Sequence, residues 1–325
     1  MSETSPTGPS AKMPIPTSIS EQAQQYLSTP APFGDDEPPS DPSDVGAWLH
    51  YIETRDSFVS ERLAQALPSD LPVASSEFQL DGVTVYVIRP NHVPDSPDTP
   101  IYLDIHGGGL ILAGGELCRL MATGGALRRD MISWAVDYRM PPLHPYPAAL
   151  DDCMAVYRKA LEERSPEDIF VGGGSAGGNL AAALLLRAKD EGLPMPAALI
   201  LGTPEVDLTE SGDTFHTLLG IDSVLKPLLQ VNRLYANGHD LAHPYLSPLF
   251  GDVSGFPPTF LQSGTRDLFL SNTVRMHRAL RAAGVEAELH VFEAMPHGGF
   301  GGMTPEDNEL AREVQHFVDR HRRRH

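Results

Sequence analysis

The stretch Ile169–Ala182, IFVGGGSAGGNLAA, runs from an apolar strand through clustered glycines into a helix-like segment, with Ser175 at its centre. Two chemistries use this layout. Read as Gly172-x-Gly174-x-x-Gly177, it is the glycine pattern that seats a dinucleotide pyrophosphate on a helix N-terminus. Read as Gly173-x-Ser175-x-Gly177, it is the tight turn that raises a nucleophilic serine above a sheet. The same glycines make both patterns, so the rest of the chain has to separate them.

Outward from this stretch, strand and helix patterns alternate. SSEFQL, Asp81-Gly82 and VTVYVIRP read as a hairpin around a DG turn. Buried strands follow at IYLDI (101–105), ISWAVD (132–137), AALILG (197–202), TFLQSG (259–264) and EAELHVFEA (286–294). Between them lie a helix over Pro147–Arg164, one beginning near Ala176, and one carrying Val274, His277 and Leu280 that stops at Gly284. A last helix opens at Thr304-Pro305-Glu306-Asp307, where threonine caps, proline takes the first helical position and acids complement the dipole. Such alternation predicts an α/β fold with a mostly parallel central sheet and helices on both faces.

Two regions break the alternation. Residues 205–245 contain helical pieces and loops but no strand pattern, as expected of an insertion over one end of the sheet. Before the hairpin, Val45, Trp48, Leu49 and Ile52 fall at i, i+3, i+4 and i+7, and Phe58, Val59, Leu63 and Leu67 continue a helical stripe. Residues 1–44, rich in proline, serine and acids, read as a flexible arm that orders only by docking on the body. SEQAQQYLS within it is a short helix candidate. The expected division is thus the arm 1–44 and a single catalytic domain 45–325.

With 24 basic and 43 acidic side chains, the formal charge of −19 argues against nucleic acid or an anionic membrane surface as partner. The only basic cluster, the terminal HRRRH, reads as a solvated end. Cys118 and Cys153 are too few for a disulfide framework and read as free thiols of a reducing compartment. The opening MSETSPTGPSAKMPIP has no apolar leader core, and no apolar run reaches membrane-spanning length. The expectation is a cytoplasmic protein.

The dinucleotide reading needs an acid near the end of the next strand to grip a ribose, and Glu205 and Asp207 follow AALILG later than the usual spacing. It leaves Ser175 and an upstream His106-Gly107-Gly108-Gly109 without a role. The serine reading needs a base, a carboxylate to orient it and amide donors for an oxyanion, all at carboxyl ends of strands. Four strand ends supply them in order. IYLDI ends at HGGG, IFV at GGGSAGG, TFLQSG at Thr265-Arg266-Asp267, and HVFEA at Met295-Pro296-His297. Ser175 is a weak nucleophile until a base takes its proton. His297 can take it near neutral pH. Asp267 would hold the imidazole tautomer and stabilise the imidazolium. N–H groups of Gly107, Gly108 and Ala176 are the natural oxyanion donors, since glycine lets backbone approach a substrate closely.

Singly, each part has a plain structural reading: a tight turn for Gly107–Gly109, a helix cap for Asp267, a loop histidine for His297. Jointly those readings require four coincidences in one order. Neither a metal nor a cofactor is expected. His239-x-x-x-His243 has zinc-helix spacing, but Asn237-Gly238 and Pro244 argue against a helix there. Asp151-Asp152 read as dipole-complementing acids of a first helical turn.

At HGGG, GGSAGG, TRD and PHGGF, and along VDYRMPPLHPYPAALDD (136–152), the chain resembles the bacterial hormone-sensitive-lipase-like carboxylesterases of the α/β-hydrolase fold. The resemblance covers roughly residues 78–320. It implies a serine carboxylesterase acting on short- to medium-chain esters through Ser175, Asp267 and His297, with Gly107, Gly108 and Ala176 as oxyanion hole. His106 would brace the donor loop. It also implies a cap built from helices at about 45–70 and the 205–245 insertion, and pairing into a homodimer along a sheet edge. Three departures stand out: Gly174 where Asp or Thr is usual, Leu143 where Glu is usual, and two glycines between His297 and Phe300 where one is usual. The rivals are a nicotinamide-dependent oxidoreductase using the glycines at 172–177 and a non-catalytic small-molecule receptor on the same fold.

Overall fold

Alternation within the strands decides which helix covers which face. In a computed structural model, described for residues 13–29, 37–66, 68 and 70–323, eight strands form one sheet in the order β1-β2-β4-β3-β5-β6-β7-β8. They are β1 (Val73–Leu80), β2 (Val83–Pro90), β3 (Ile101–Ile105), β4 (Ile132–Asp137), β5 (Ile169–Gly174), β6 (Ala198–Gly202), β7 (Thr259–Gly264) and β8 (Ala287–Phe292). β1 and β2 pair antiparallel, as do β2 and β4; every other pairing is parallel. The helices are α1 (Glu21–Ser28), α2 (Val45–Ala66), α3 (Glu116–Arg129), α4 (Ala148–Glu163), α5 (Ala176–Asp190), α6 (Thr214–Thr217), α7 (Leu229–Ala236), α8 (Leu270–Ala282) and α9 (Pro305–His321).

Leu103, Val171, Leu199 and Leu261 project to one side, into the largest core cluster, with α4 (Leu150, Met154), α5 (Leu180, Leu184) and α8 (Met276, Leu280). Tyr102, Phe170, Ile200 and Phe260, one residue out of phase, face Phe317 and Val318 of α9. Ile88 and Ala135 meet Cys118, Ala122 and Ala126 of α3 on their own patch. A period of two in the strands thus feeds two helical layers, the α/β-hydrolase architecture.

Part of the N-terminal arm is ordered by docking, and its short helix candidate is α1. Residues 13–29 are not a free tail: Ser20 caps α1, its Oγ accepting the Ala23 N–H at 3.1 Å. Ile19 and Ala23 are buried against Ala294, Met295 and Phe300. Ser20 N and Oγ donate to the Glu306 carboxylate at 2.7 and 2.8 Å, and Arg266 Nη2 donates to the Pro14 carbonyl at 2.6 Å. Docked apolar area offsets the ordering entropy that the arm's composition alone could not. The start of the arm, its stretch at 30–36, Leu67 and the last two residues of the basic tail lie outside the described residues.

The stripe of α2 is buried only in part. Trp48 is covered by Ile111, Val231 and Leu234, while Val45 and Leu49 are each 42% exposed. This helix lies outside the two layers, so one edge of its apolar face finds a neighbour and the other does not. Helix α3 carries no clean apolar period because Gly124 and Gly125 interrupt it. Gly125 makes room for Arg129, whose guanidinium would stand 2.5 Å from a Cβ there. Arg129 pairs with Asp104 and lies 3.8 Å over the Tyr102 ring. Among the described residues no helix is long and apolar enough to cross a membrane.

Candidate active site

β5 delivers Ser175 through a strained turn. Ser175 holds φ +57° and ψ −123°, a conformation costly for a residue with a Cβ, and the turn is locked on both sides. Its N–H donates to Gly202 O at 2.9 Å, and its carbonyl accepts Asn179 N and Glu205 N at 3.2 and 3.1 Å. Asn179 Nδ2 donates to the Glu205 and Leu246 carbonyls, both at 2.7 Å, which ties α5 to the following loops. Gly177 is required by close approach: a Cβ would meet Ile105 O at 1.9 Å.

The loops after β7 and β8 bring the other two candidates to this serine. His297 Nε2 lies 2.9 Å from Ser175 Oγ, and His297 Nδ1 lies 3.0 Å from Asp267 Oδ1. A carboxylate can only accept, so Nδ1 carries the proton and the Nε2 lone pair faces the hydroxyl. Asp267 is fully buried and further held by Ser263 Oγ at 2.5 Å and Phe269 N at 3.0 Å. Phe269 packs its ring edge-on to the imidazole at 4.9 Å. Burial pulls the His297 pKa down, but the hydrogen bond and charge of Asp267, with Asp222 behind, raise it above the ordinary 6.5.

The third component lies after β3. Gly108 has φ +116°, and a Cβ there would stand 2.4 Å from Leu112 O. At Gly107 a Cβ would stand 2.9 Å from Gly174 O, so the donor loop and the serine turn are in contact. Among the described residues the N–H groups of Gly107, Gly108 and Ala176 donate to nothing. His106 sits beneath them with its Nδ1 donating to Gly107 O at 2.7 Å and its ring stacked on Tyr138 at 4.0 Å. Tyr138 Oη in turn donates to His106 O at 2.9 Å. Burial drives the His106 pKa down to about 4, which keeps the ring neutral and unsuited to act as a base at neutral pH.

Other acids take supporting places. Asp222 accepts Leu268 N at 2.8 Å and Val224 N at 2.9 Å, fixing the 205–245 segment beside the loop that bears Asp267. Neither acid of the dinucleotide reading is free to grip a ribose. Asp207 is fully buried and bound by Thr209, Ser211 and Arg275. Glu205 is fully buried, its pKa raised by burial to about 8 against the pull of Asn232. Asp152 does more than complement a dipole, since it is buried in an ion pair with Arg139 at 2.6 Å. Ligand atoms of His106, Cys118 and Asp137 lie within 4.8 Å of one another. Burial keeps Cys118 a thiol, and Asp137 already accepts Gly115 N at 2.8 Å. His239 and His243 lie outside any helix, against Tyr146.

Sequence reasoning did not find Asp222, Ser263, Phe269 or Arg139. Asp222 and Arg139 sit in loops with no periodicity to read. Ser263 and Phe269 look like ordinary strand and helix-cap residues until the fold sets them against Asp267 and His297.

A strand-turn-helix serine, a loop histidine and a loop acid on this sheet define a class, and comparison with known proteins agrees. Residues 102–300 match the family model described as alpha/beta hydrolase fold. The chain belongs to that family, and within it to the bacterial hormone-sensitive-lipase-like carboxylesterases; it is a carboxylic ester hydrolase. An esterase of Acinetobacter venetianus is 31% identical over 266 residues, covering 80% of this chain and 86% of its own. The crystal structure of esterase E25 superposes with a TM-score of 0.87 at 35% identity, covering 99% of each chain. An esterase from the bacterial hormone-sensitive lipase family gives a TM-score of 0.81 at 26% identity, covering 93% of this chain and 98% of its own.

Proposed function

We propose that the enzyme hydrolyses short- to medium-chain carboxylic esters through a Ser175–His297–Asp267 triad and an acyl-enzyme. The observation that carries this reading is the unbroken contact from hydroxyl to imidazole to carboxylate, 2.9 and 3.0 Å long. Ser175 Oγ attacks the ester carbonyl while its proton passes to His297 Nε2. The new imidazolium, charged in a buried setting, is stabilised by Asp267. The carbonyl oxygen becomes an oxyanion facing the free N–H groups of Gly107, Gly108 and Ala176, each such donor contributing about 3–4 kcal/mol to the barrier's lowering. Collapse expels the alcohol, which takes the proton from Nε2. Water then repeats the sequence on the acyl-enzyme.

In the same reading α2 and the 205–245 segment form a cap over the site. The cluster of Trp48, Ile111, Val231 and Leu234, which joins α2, the donor loop and α7, supports it. The buried free thiols of Cys118 and Cys153 accord with a reducing cytoplasm. A homodimer along a sheet edge completes the family-based picture.

The test is hydrolysis of p-nitrophenyl butyrate by the parent enzyme and Ser175→Ala. The variant should lose about four to six powers of ten in kcat, leaving only what binding and amide donors supply. Equal rates in the two proteins would overturn the triad.

A further inference from the structure

Next to Ser175, the last register pair of β5 and β6 is two glycines, Gly174 and Gly202. Most glycines of the turn leave no choice: at Gly173 a Cβ would stand 2.3 Å from Ile105 O. Gly174 differs. Its φ is not left-handed, it is exposed, and a Cβ there would meet only Gly202 O, at 3.6 Å. Its register partner across β5 and β6 is Gly202, where a Cβ would find Gln262 Oε1 at 3.7 Å and Gly174 Cα at 3.8 Å. Two adjoining positions could bear side chains without strain or clash, and neither does.

The sheet order says which part of a substrate lies above them. The oxyanion donors follow β3, on one side of β5; β6, β7 and β8 lie on the other, leading to Asp267 and His297. Gln262, beside Gly202, donates to Met295 Sδ at 3.3 Å, two residues before His297. The Gly174 carbonyl lies against Gly107, but a Cβ on Gly174 would point the other way, to Gly202 and the imidazole side of Ser175. During acyl transfer the carbonyl oxygen turns to the donors. The leaving oxygen must reach His297 Nε2–H to take its proton as its bond to the acyl carbon breaks.

We propose that Gly174 and Gly202 form a side-chain-free slot under the leaving group, suited to esters of bulky alcohols such as aryl or branched secondary alcohols. Gly174 is then a specificity-determining position. This rests on Ser175 acting as the nucleophile, and the Ser175→Ala comparison in the parent enzyme tests that premise separately.

The experiment compares Gly174→Val with the parent on two ester series. One holds the acyl group as acetate and varies the alcohol from ethyl to isopropyl to 1-naphthyl. The other holds the alcohol as p-nitrophenol and varies the acyl group from acetate to hexanoate. The valine should lose about 10-fold or more in kcat/KM on 1-naphthyl acetate relative to ethyl acetate. Across the acyl series its losses should be uniform. A uniform loss on both series, or one that grows with acyl length, overturns the slot. Gly174→Ala, a single methyl, guards against a disturbed turn: with thermal midpoint and fluorophosphonate labelling of Ser175 unchanged, it should lose selectively on naphthyl acetate to a smaller degree. Indifference of that variant to alcohol size also counts against the proposal.

Discussion

At the scale of residues, the site is a set of protons held in place. Nδ1–H of His297 has one acceptor, Asp267 Oδ1, and that acceptor is locked by Ser263 and Phe269. The imidazole works as a base only when neutral. Its pKa is raised, so the acid limb of kcat/KM should fall above pH 6.5, with activity lost as pH drops through it. Asp267→Asn removes the charge and the hydrogen bond that raise the pKa while leaving burial, which lowers it. The limb should then move to lower pH and kcat should fall about 10⁴-fold. An unmoved limb in a pH–rate profile of that variant would show that another group titrates there. Glu205 behaves oppositely: burial keeps it protonated up to about pH 8, so it places no negative charge beside the serine turn at neutral pH.

At the scale of elements, the loop that carries His297 has weak local reasons to hold its shape. Gly298, Gly299, Gly301 and Gly302 all have positive φ, and glycine loses more backbone freedom on being ordered than any other residue. Its order comes from neighbours: Phe300 stacks edge-on to Tyr26 of α1 at 5.9 Å, and Phe300 N donates to Asp307 of α9 at 2.9 Å. Ser20 and Glu306 join those two helices. Ser20→Ala, which also removes a helix cap, should cost about 1–2 kcal/mol, and Glu306→Ala should be of similar size. Because the two share one contact, the double variant should cost less than the sum in denaturant unfolding; additive costs would break the link. These elements also mark the limits of sequence reading. Strands, their ends, and the Thr304-Pro305 helix start were legible because period and capping are local signals. The convergence of Ser175, Asp267 and His297 was legible because each follows the carboxyl end of a strand. The docking of α1 was not, since Ser20 and Glu306 say nothing of each other across the chain. Helix α3 was hidden by Gly124 and Gly125, which lie under Arg128 and Arg129 respectively, and the exposed side of α2 by an apolar stripe wider than its neighbour.

At the scale of the whole molecule, the chain carries 43 acids against 24 bases, and two of those acids, Asp222 and Asp267, stand at the site itself. Such a field repels anions over about a Debye length, roughly 30 Å at 0.01 M salt and 8 Å at 0.15 M. An ester with a free carboxylate, such as a p-nitrophenyl hemisuccinate, should therefore react more slowly than the neutral butyrate at low salt. The gap should narrow several-fold as salt rises. A ratio of kcat/KM independent of ionic strength would mean that the field at the site is not set by the net charge. The pairing of Ser20 with Glu306 spans 286 residues of chain. On the ribosome α1 is made long before its seat, the His297 loop and α9. Helix α1 must wait, exposed, until that seat is made. The candidate site is thus completed only after β8 and the loop that follows it, and a chain stopped short of them lacks its imidazole.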